Sequence, residues 1–262
     1  MNAAPAGLGI FLWEWPQCDG GDLQAILARC AKCNIAWVAV HFPDVTAARV
    51  QAFHDAGIYV AAWWYCVPGN AETSTFIASA VNIQKLGVDA ILPDCEIEWE
   101  TRNGAPADRR PEAIVFAQEL RNTLGPDIFI GNCGAWQLPD SHPEYPDHAF
   151  GNSWSAGLPE RYWTMFPPNY TPSSILDKSD EQWADKENAG AYKMLIPIGS
   201  AFDGSAQGGQ PLRPSDVSDF LDRQVTCALW SWQHVPPIVW ALLEQRAQIV
   251  SPTASTEPPP NG

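Results

Sequence analysis

The sequence lacks the signals of several protein classes. No uninterrupted apolar run approaches the roughly 18 residues of a membrane span. No basic residue leads into an apolar segment near Met1, so no export signal is expected, which favours a cytoplasmic or phage-associated protein. No Gly-x-Gly-x-x-Gly or phosphate-loop motif follows a strand-like segment, which argues against a nucleotide cofactor. Gly-x-Ser-x-Gly is also absent, so a serine nucleophile has no supporting motif.

Positive charge is scarce, with 15 Lys and Arg against 30 Asp and Glu, giving a net charge of -15. Such a protein repels phosphates and anionic lipids, so we expect no nucleic-acid partner and no membrane insertion, and a carbohydrate ligand is favoured. The 7 cysteines are interpreted mostly as reduced, buried small hydrophobic residues. Cys30 and Cys33 have the redox spacing but lie in a helical pattern, with no second pair to complete a zinc site.

Tryptophan, by contrast, is abundant, with 13 Trp against 6 Tyr. Each Trp adds a large apolar surface, and the flat face of its indole stacks well on a ligand. Filling the core is the ordinary role of any one of them. Because several stand beside apparent strand ends, their number favours a carbohydrate-stacking cleft.

Strand-like and helix-like segments alternate along most of the chain, which is the pattern of a parallel sheet covered by helices. The eight strand candidates are residues 7–13, 35–41, 58–65, 87–94, 128–133, either 148–154 or 161–166, 192–200 and 225–232. This alternation favours a closed (β/α)8 barrel, for which about 250 residues is usual, over an open doubly wound sheet. We therefore predict an α/β fold with one barrel over residues 1–250. The proline-rich residues 251–262 are predicted to be a disordered tail or the start of a linker.

The most informative stretch is an apolar run that turns acidic at its end, with carboxylates at Asp94, Glu96, Glu98 and Glu100. Alternate residues of a strand face the same side, so an extended chain would present all four together. Pro93 cannot donate to the sheet ladder, so a bulge or break is expected there. A solvated edge strand is the alternative, but the apolar run favours a buried strand that ends at the active-site mouth of a barrel.

Paired carboxyl groups suit glycoside hydrolysis, which needs one protonated and one ionised carboxyl. Two carboxyls at alternate strand positions have Cα atoms about 6.6 Å apart, which permits both the retaining and the inverting separation. Repulsion between neighbouring carboxylates raises one pKa, as a general acid requires. The predicted catalytic residues are Glu96, Asp94 and Glu98.

Other strand ends supply polar and aromatic groups to the same predicted mouth, where His41 also belongs. The predicted substrate-binding residues are Trp13, Glu14, Trp64, Tyr65, Asn132, Asp203, Trp232 and Gln233. No cofactor and no metal site are predicted. A calcium or magnesium ion held by the acidic row is the alternative, because hard cations prefer oxygen ligands.

The run Asp94-Cys95-Glu96 resembles the Asp-x-Glu strand end of glycoside-hydrolase-type barrels of bacteria and their phages, such as the family 25 lysozymes. The longer acidic run is more similar to a group of barrels with an Asp-Ala-Glu-x-Glu-Tyr-Glu strand, and residues 195–199 and 229–234 also resemble that group. The resemblance implies that Glu96 is the general acid and that Asp94 stabilises positive charge or orients the substrate. Those lysozymes place an aspartate after the first strand, where this chain has Trp13 and Glu14, so whether Glu14 substitutes is open.

Two functions of different class are consistent with the sequence. The first is a glycosidase that cleaves a polymer of neutral or amino sugars, for example bacterial cell-wall glycan. The second is a non-catalytic barrel that binds carbohydrate or serves as a structural component of a phage or a cell surface. Turnover of a polysaccharide distinguishes the two.

Overall fold

The computed structural model describes residues 3–100, 108–185 and 188–250. The described strands are β1 (Leu8–Leu12), β2 (Trp37–His41), β3 (Tyr59–Tyr65), β4 (Ala90–Asp94), β5 (Phe129–Asn132), β6 (Ala156–Gly157), β7 (Glu160–Arg161), β8 (Ile198–Ser200) and β9 (Cys227–Trp230). The described α-helices are α1 (Leu23–Cys33), α2 (Ala47–Asp55), α3 (Asn70–Gln84), α4 (Arg110–Leu124), α5 (Asp147–Gly151), α6 (Pro172–Ala184), α7 (Pro214–Arg223) and α8 (Pro237–Val250).

Local sequence signals set the ends of several helices. Asp22 precedes α1 and its carboxylate accepts the backbone N–H of Gln24 at 2.8 Å, which satisfies one of the free donors of the first turn. At the other end of α1, Asn34 adopts the left-handed conformation with φ 52°. Thr171 caps α6 by accepting the Ser174 N–H at 3.1 Å. These caps fix where α1 and α6 begin and where α1 ends, so that the chain can turn between helix and strand.

The strands pair in parallel in the order β6-β5-β4-β3-β2-β1-β9-β8-β7. At one end of this order β6 pairs with β5, and at the other end β7 pairs with β8. Gly157 of β6 also forms a parallel bridge with Leu195, just before β8. Residues 156–161 thus fill one position between β5 and β8, and the ring closes with eight strand positions. The predicted (β/α)8 barrel is confirmed.

The sixth strand lies at neither of its two predicted places. Residues 148–154 contain most of α5, and a 3-10 helix occupies Trp163–Met165. Both windows read as strands because they are aromatic, but Phe150, Trp154 and Trp163 are fully buried beside the helices. The strand between them is short because Pro159 has no N–H for the ladder.

The prediction that four carboxylates share one strand face is wrong. β4 ends at Asp94, and a 3-10 helix over Ile97–Trp99 follows. Trp99 is fully buried and its indole N–H donates to the Cys66 carbonyl at 2.6 Å, so burial of this ring turns the chain out of the extended conformation. Pro93 itself stays in register, opposite Trp64 of β3.

Alternating side chains divide the core into two layers. One layer fills the inside of the ring and includes Phe11, Trp37, Trp63 and Leu92. The other packs between the ring and the helices. Close packing inside the ring requires glycine at position 9, because a Cβ there would lie 2.0 Å from the Trp37 ring. The plugged interior leaves the strand ends as the place for a site.

The predicted tail at 251–262 lies outside the described residues, so the domain limits stay a prediction. Among the helices that the structure describes, none has the length and apolar character needed to cross a membrane.

Candidate active site at the barrel mouth

The inward-facing side chains at the C-terminal ends of the strands form the mouth of the barrel. Each lies two residues beyond a side chain of the inner core, so strand alternation aims it inward above that core. Trp13 follows Phe11, Tyr65 follows Trp63, and Asp94 follows Leu92 in this way. The mouth residues from the other strands are His41, Cys133, Glu160 and Trp230.

Three carboxyl groups meet at this mouth. Asp94 comes from the end of β4, Glu96 from the turn after it, and Glu160 from β7. One carboxylate oxygen from each lies within 4.8 Å of the other two. Glu160 accepts a hydrogen bond from the Tyr162 hydroxyl. Asp94 is only 5% exposed, and its Oδ1 has no hydrogen-bond partner among the described residues.

Burial and mutual repulsion raise the pKa of all three groups. Burial is the larger cause for Asp94, whose pKa lies well above its usual value, and the charge of Glu96 adds to it. Burial also raises the pKa of Glu96, with a further contribution from Glu98. The pKa of Glu160 is raised well above its usual value by burial and then by the other two carboxylates. Because the three titrate together, full ionisation is disfavoured and the cluster retains protons.

Aromatic rings form the wall of the mouth opposite the carboxyl groups. The Trp13 and Trp230 rings lie 5.8 Å apart, and Trp230 also lies 5.0 Å from Trp63. Trp13 keeps 38% of its surface exposed, so its face is open to a ligand. The His41 ring lies 4.7 Å from the Trp63 ring, and burial lowers the pKa of the His41 imidazole.

A cleft of about 240 Å³ adjoins the mouth beside Trp230. Its lining includes Phe202, Asp203 and His234. Asp203 is exposed, and its carboxylate accepts the Ser205 N–H at 2.8 Å. The structure thus brings Asp203 near Trp230 but on the rim of the site.

Of the residues predicted from the sequence, Trp13, Tyr65, Asp94 and Glu96 all lie at the barrel mouth. Glu98 lies beside them but is exposed, and it accepts a hydrogen bond from the Tyr65 hydroxyl. It is therefore at the edge of the site and not in the buried cluster.

Trp64 and Glu14 lie outside the cluster. Alternation turns Trp64 outward, where its ring lies 5.4 Å from Phe42 and lines a hollow of about 300 Å³ against α3. Glu14 is exposed and accepts a hydrogen bond from the Gln17 amide. The three carboxyl groups that meet at the mouth are Asp94, Glu96 and Glu160, and Glu14 is not one of them.

Asn132, Trp232 and Gln233 do not face the mouth, and their predicted contact with a substrate is corrected. Asn132 is fully buried and its amide donates to the hydroxyls of Tyr145 and Tyr192 at 2.8 and 2.9 Å. Trp232 is 3% exposed and packs 4.9 Å from Trp240 of α8, in the outer layer. Gln233 is half-buried, and its carbonyl oxygen lies 4.0 Å from the Cys18 thiol.

Glu100 is also turned away from the mouth. It is buried and its carboxylate lies 3.0 Å from Nδ1 of His142, whose ring stacks on Trp136 at 3.8 Å. This pair ties the chain after β4 to the segment after β5. The last carboxylate of the acidic run therefore has a structural role.

Sequence reasoning missed Glu160 and Trp230. Glu160 lies next to Pro159, between the two windows considered for the sixth strand, so it was assigned to no strand end. Trp230 and Trp232 are two residues apart, so the strand period predicts that both face the same way. β9 ends at Trp230, however, and the 3-10 helix over Trp232–His234 places Trp232 in the outer layer.

Comparison with known proteins gives a fold. No protein-family model matches the chain. No curated protein matches it at the level of sequence. Among solved structures, a human pseudo-chitinase with retained chitooligosaccharide-binding properties aligns with TM-score 0.61 and 7% identity, covering 94% of this chain and 100% of that one. The chain is a TIM barrel.

Other TIM barrels with similar scores have different activities. The glycoside hydrolase domain of PelA from Pseudomonas aeruginosa aligns with TM-score 0.56 and 10% identity, covering 87% of this chain and 95% of that one. A protein assigned as a deoxyribose-phosphate aldolase from Toxoplasma gondii aligns with TM-score 0.56 and 15% identity, covering 95% and 94%. At these identities the similarity shows the fold alone, and the resemblance to family 25 lysozymes and phage proteins stays a prediction.

Proposed function

We propose that this TIM barrel is a glycoside hydrolase that uses the carboxyl cluster at its mouth. The observation that carries the proposal is the convergence of Asp94, Glu96 and Glu160, with raised pKa values, beside exposed aromatic faces. Glycoside hydrolysis requires a protonated and an ionised carboxyl at short distance, and sugars stack on aromatic rings.

In this proposal Glu96 is the general acid. It follows the buried strand end and is only half-buried, so it reaches the solvent-facing side of the cluster where a glycosidic bond can approach. Burial and the charge of Glu98 raise the pKa of Glu96 and favour its protonated form. Delivery of that proton to the leaving oxygen contributes typically 10²–10⁴-fold to the rate.

Asp94 lies deeper and acts on the sugar ring. Burial disfavours its ionised form, whereas positive charge developing at the anomeric carbon favours ionisation. Once ionised, Asp94 stabilises that charge or forms a covalent bond to the carbon. One oxygen from each carboxyl group of the cluster lies within 4.8 Å of the others. That spacing is below the roughly 6.5–9.5 Å that leaves room for the water of an inverting enzyme, so it favours retention of configuration.

The similar aldolase fold makes carbon–carbon bond cleavage an alternative to consider. An aldolase that works through a Schiff base needs a lysine amine at the mouth. Of the lysines that the structure describes, Lys32 and Lys178 lie in helices, Lys85 ends α3, and Lys193 precedes β8. None follows a strand end, which favours the carboxyl chemistry.

A barrel that binds carbohydrate without cleaving it is the second candidate. The human neighbour is described as a pseudo-chitinase that retains chitooligosaccharide binding, so this fold is compatible with binding alone. In that case Trp13, Tyr65 and Trp230 would carry the function, and the carboxyl cluster would serve recognition.

The decisive experiment measures release of reducing ends from a panel of chito- and peptidoglycan-derived oligosaccharides by the wild type and Glu96→Gln. The variant keeps the size of the side chain and its hydrogen bonding but cannot deliver a proton. We expect turnover by the wild type and at least a 100-fold loss in the variant, with oligosaccharide affinity and thermal stability retained. Undiminished turnover by Glu96→Gln would refute the assignment, and sugar binding without any turnover by the wild type would favour the binding barrel.

A further inference from the structure

The carboxyl cluster lacks a positive partner among the described residues. Besides burial, the pKa values of Asp94, Glu96 and Glu160 respond to other carboxylates, a thiol and a hydroxyl. No described Arg or Lys affects any of the three. Arg161 adjoins Glu160 in the chain, but it is directed to Asp180, which lies 2.5 Å away. Buried carboxylates are ordinarily paired, so this mouth is electrostatically suited to a cationic ligand.

One oxygen of Asp94 is also left without a hydrogen-bond donor, although the Cys133 thiol donates to the carboxylate. Asp94 is buried, with only 5% of its surface exposed, and its Oδ1 accepts no hydrogen bond from a described residue. An unmade hydrogen bond on a buried acceptor costs about 1–3 kcal/mol unless a ligand supplies the donor. This orphaned acceptor is independent of the charge argument and points to a ligand with N–H or O–H groups.

The spacing of the cluster fits a donor with three N–H groups. Three oxygens that lie within 4.8 Å of one another leave a point no farther than about 2.8 Å from each of them. That distance is typical of a charge-assisted N–H···O bond. An ammonium group has three donors and one positive charge, so it satisfies the geometry and the charge together.

The surroundings favour an organic cation over a metal ion. Calcium takes six to eight oxygen ligands. Around the three carboxyl groups the described side chains are mainly aromatic rings and the Cys133 thiol, with the Tyr162 hydroxyl on Glu160 and Glu98 at the exposed edge. The faces of Trp13 and Trp230 suit a sugar ring, and aromatic faces also attract ammonium groups.

We propose that the mouth selects a glycan unit that has a free amino group, a hexosamine without its N-acetyl group. Its ammonium lies among the carboxylates of Asp94 and Glu160 and the carbonyl oxygen of Glu96, which keeps the proton of the general acid, while the ring stacks on the tryptophans. N-acetylation removes the charge and leaves one N–H donor, so it weakens binding. This inference rests on the proposed function in taking the ligand to be a glycan.

Calorimetric titration at pH 6 tests the proposal with two four-unit oligosaccharides, one of glucosamine and one of N-acetylglucosamine, in buffer containing a chelator. We expect at least ten-fold tighter binding of the glucosamine oligomer by the wild type. Glu160→Gln should lose most of that preference, whereas Glu119→Gln, the same change at an exposed position of α4, should keep it. Thermal unfolding checks that the variants are folded, and Asp94→Asn serves as a second variant if Glu160→Gln is not.

Equal affinity for the two oligomers, or tighter binding of the N-acetylated one, would overturn the inference. So would a calcium or magnesium ion that binds at one per chain without chelator and is lost in Glu160→Gln. The proposed hydrolase function is tested separately, by measuring hydrolysis of the oligosaccharides. Preference for the amine without cleavage would keep this inference and reject the hydrolase, and cleavage without preference would do the reverse.

Discussion

Asp147 offers a quantitative test of the packing behind the mouth. It begins α5 and is buried, and its Oδ1 has no partner among the described residues. The Tyr192 hydroxyl donates to its carboxylate, which lowers the pKa, but burial has the larger effect and raises it from 3.8 to about 7. The folded protein therefore holds a proton on Asp147 that the unfolded chain releases.

This difference sets the sign of the pH dependence. Below the pKa of Asp147 in the unfolded chain, the carboxyl is protonated in both states, so it adds no pH dependence to the free energy of unfolding. Between pH 4 and 7 the unfolded chain ionises while the folded state resists, so the free energy of unfolding falls by about 1.4 kcal/mol per pH unit. Over roughly 3 pH units the loss approaches about 4 kcal/mol, and it is constant above pH 7.

Asp147→Asn removes the charge and keeps an oxygen that can accept from Tyr192. We expect the variant to match the wild type at pH 4 and to exceed its free energy of unfolding by about 2–4 kcal/mol at pH 8. Urea denaturation at a series of pH values measures the free energy of unfolding of both proteins. The contributions of the other titrating groups cancel when the two values are subtracted. Asp55→Asn, at an exposed residue that accepts from Gln51 at 2.8 Å, is the matched control and should show no such trend. A difference between Asp147→Asn and wild type that does not vary with pH would refute the reasoning.

Two further predictions concern the walls of the mouth. Trp232→Ala should lower the free energy of unfolding by about 3–5 kcal/mol and leave sugar affinity unchanged, because its ring packs on Trp240 in the outer core. Trp13→Ala should weaken sugar binding roughly ten-fold by calorimetry, with little change in thermal unfolding, because its exposed ring faces the ligand. The reverse pattern would contradict the assigned orientations. Gly134→Ala should reduce both turnover and stability, since a Cβ there would lie 2.3 Å from the Cys95 carbonyl oxygen and 2.9 Å from Oδ1 of Asp94. Unchanged turnover would show that Asp94 does not depend on this contact.

The barrel was predictable because its signals are local and repeated. Apolar strands of the right length alternate with amphipathic helices, and several of the helices have their own caps. Only the sixth strand failed, because Pro159 breaks its ladder and its neighbours are aromatic. A short strand held by pairing on both sides is specified by tertiary contacts, which a local pattern does not contain.

The site was predictable only where one strand supplied it. Asp94 and Glu96 are adjacent in sequence and near in space, so the acidic run located them. The third carboxylate comes from Glu160, more than sixty residues away, and only closure of the ring brings it close. Asn132 failed because a strand end offers both an inward and an outward position, and a one-residue shift exchanges them. Trp232 failed because β9 ends at Trp230 and a 3-10 helix follows, which breaks the alternation.

The most direct test of the central claim is a crystal structure of Glu96→Gln with a bound oligosaccharide that the wild type cleaves. The account predicts a glycosidic oxygen within about 3 Å of the side-chain amide at position 96, with the adjoining sugar ring against Trp13 or Trp230 and near Asp94. A sugar chain that lies elsewhere, for example along the outer face of Trp64, with no glycosidic oxygen near position 96, would contradict it.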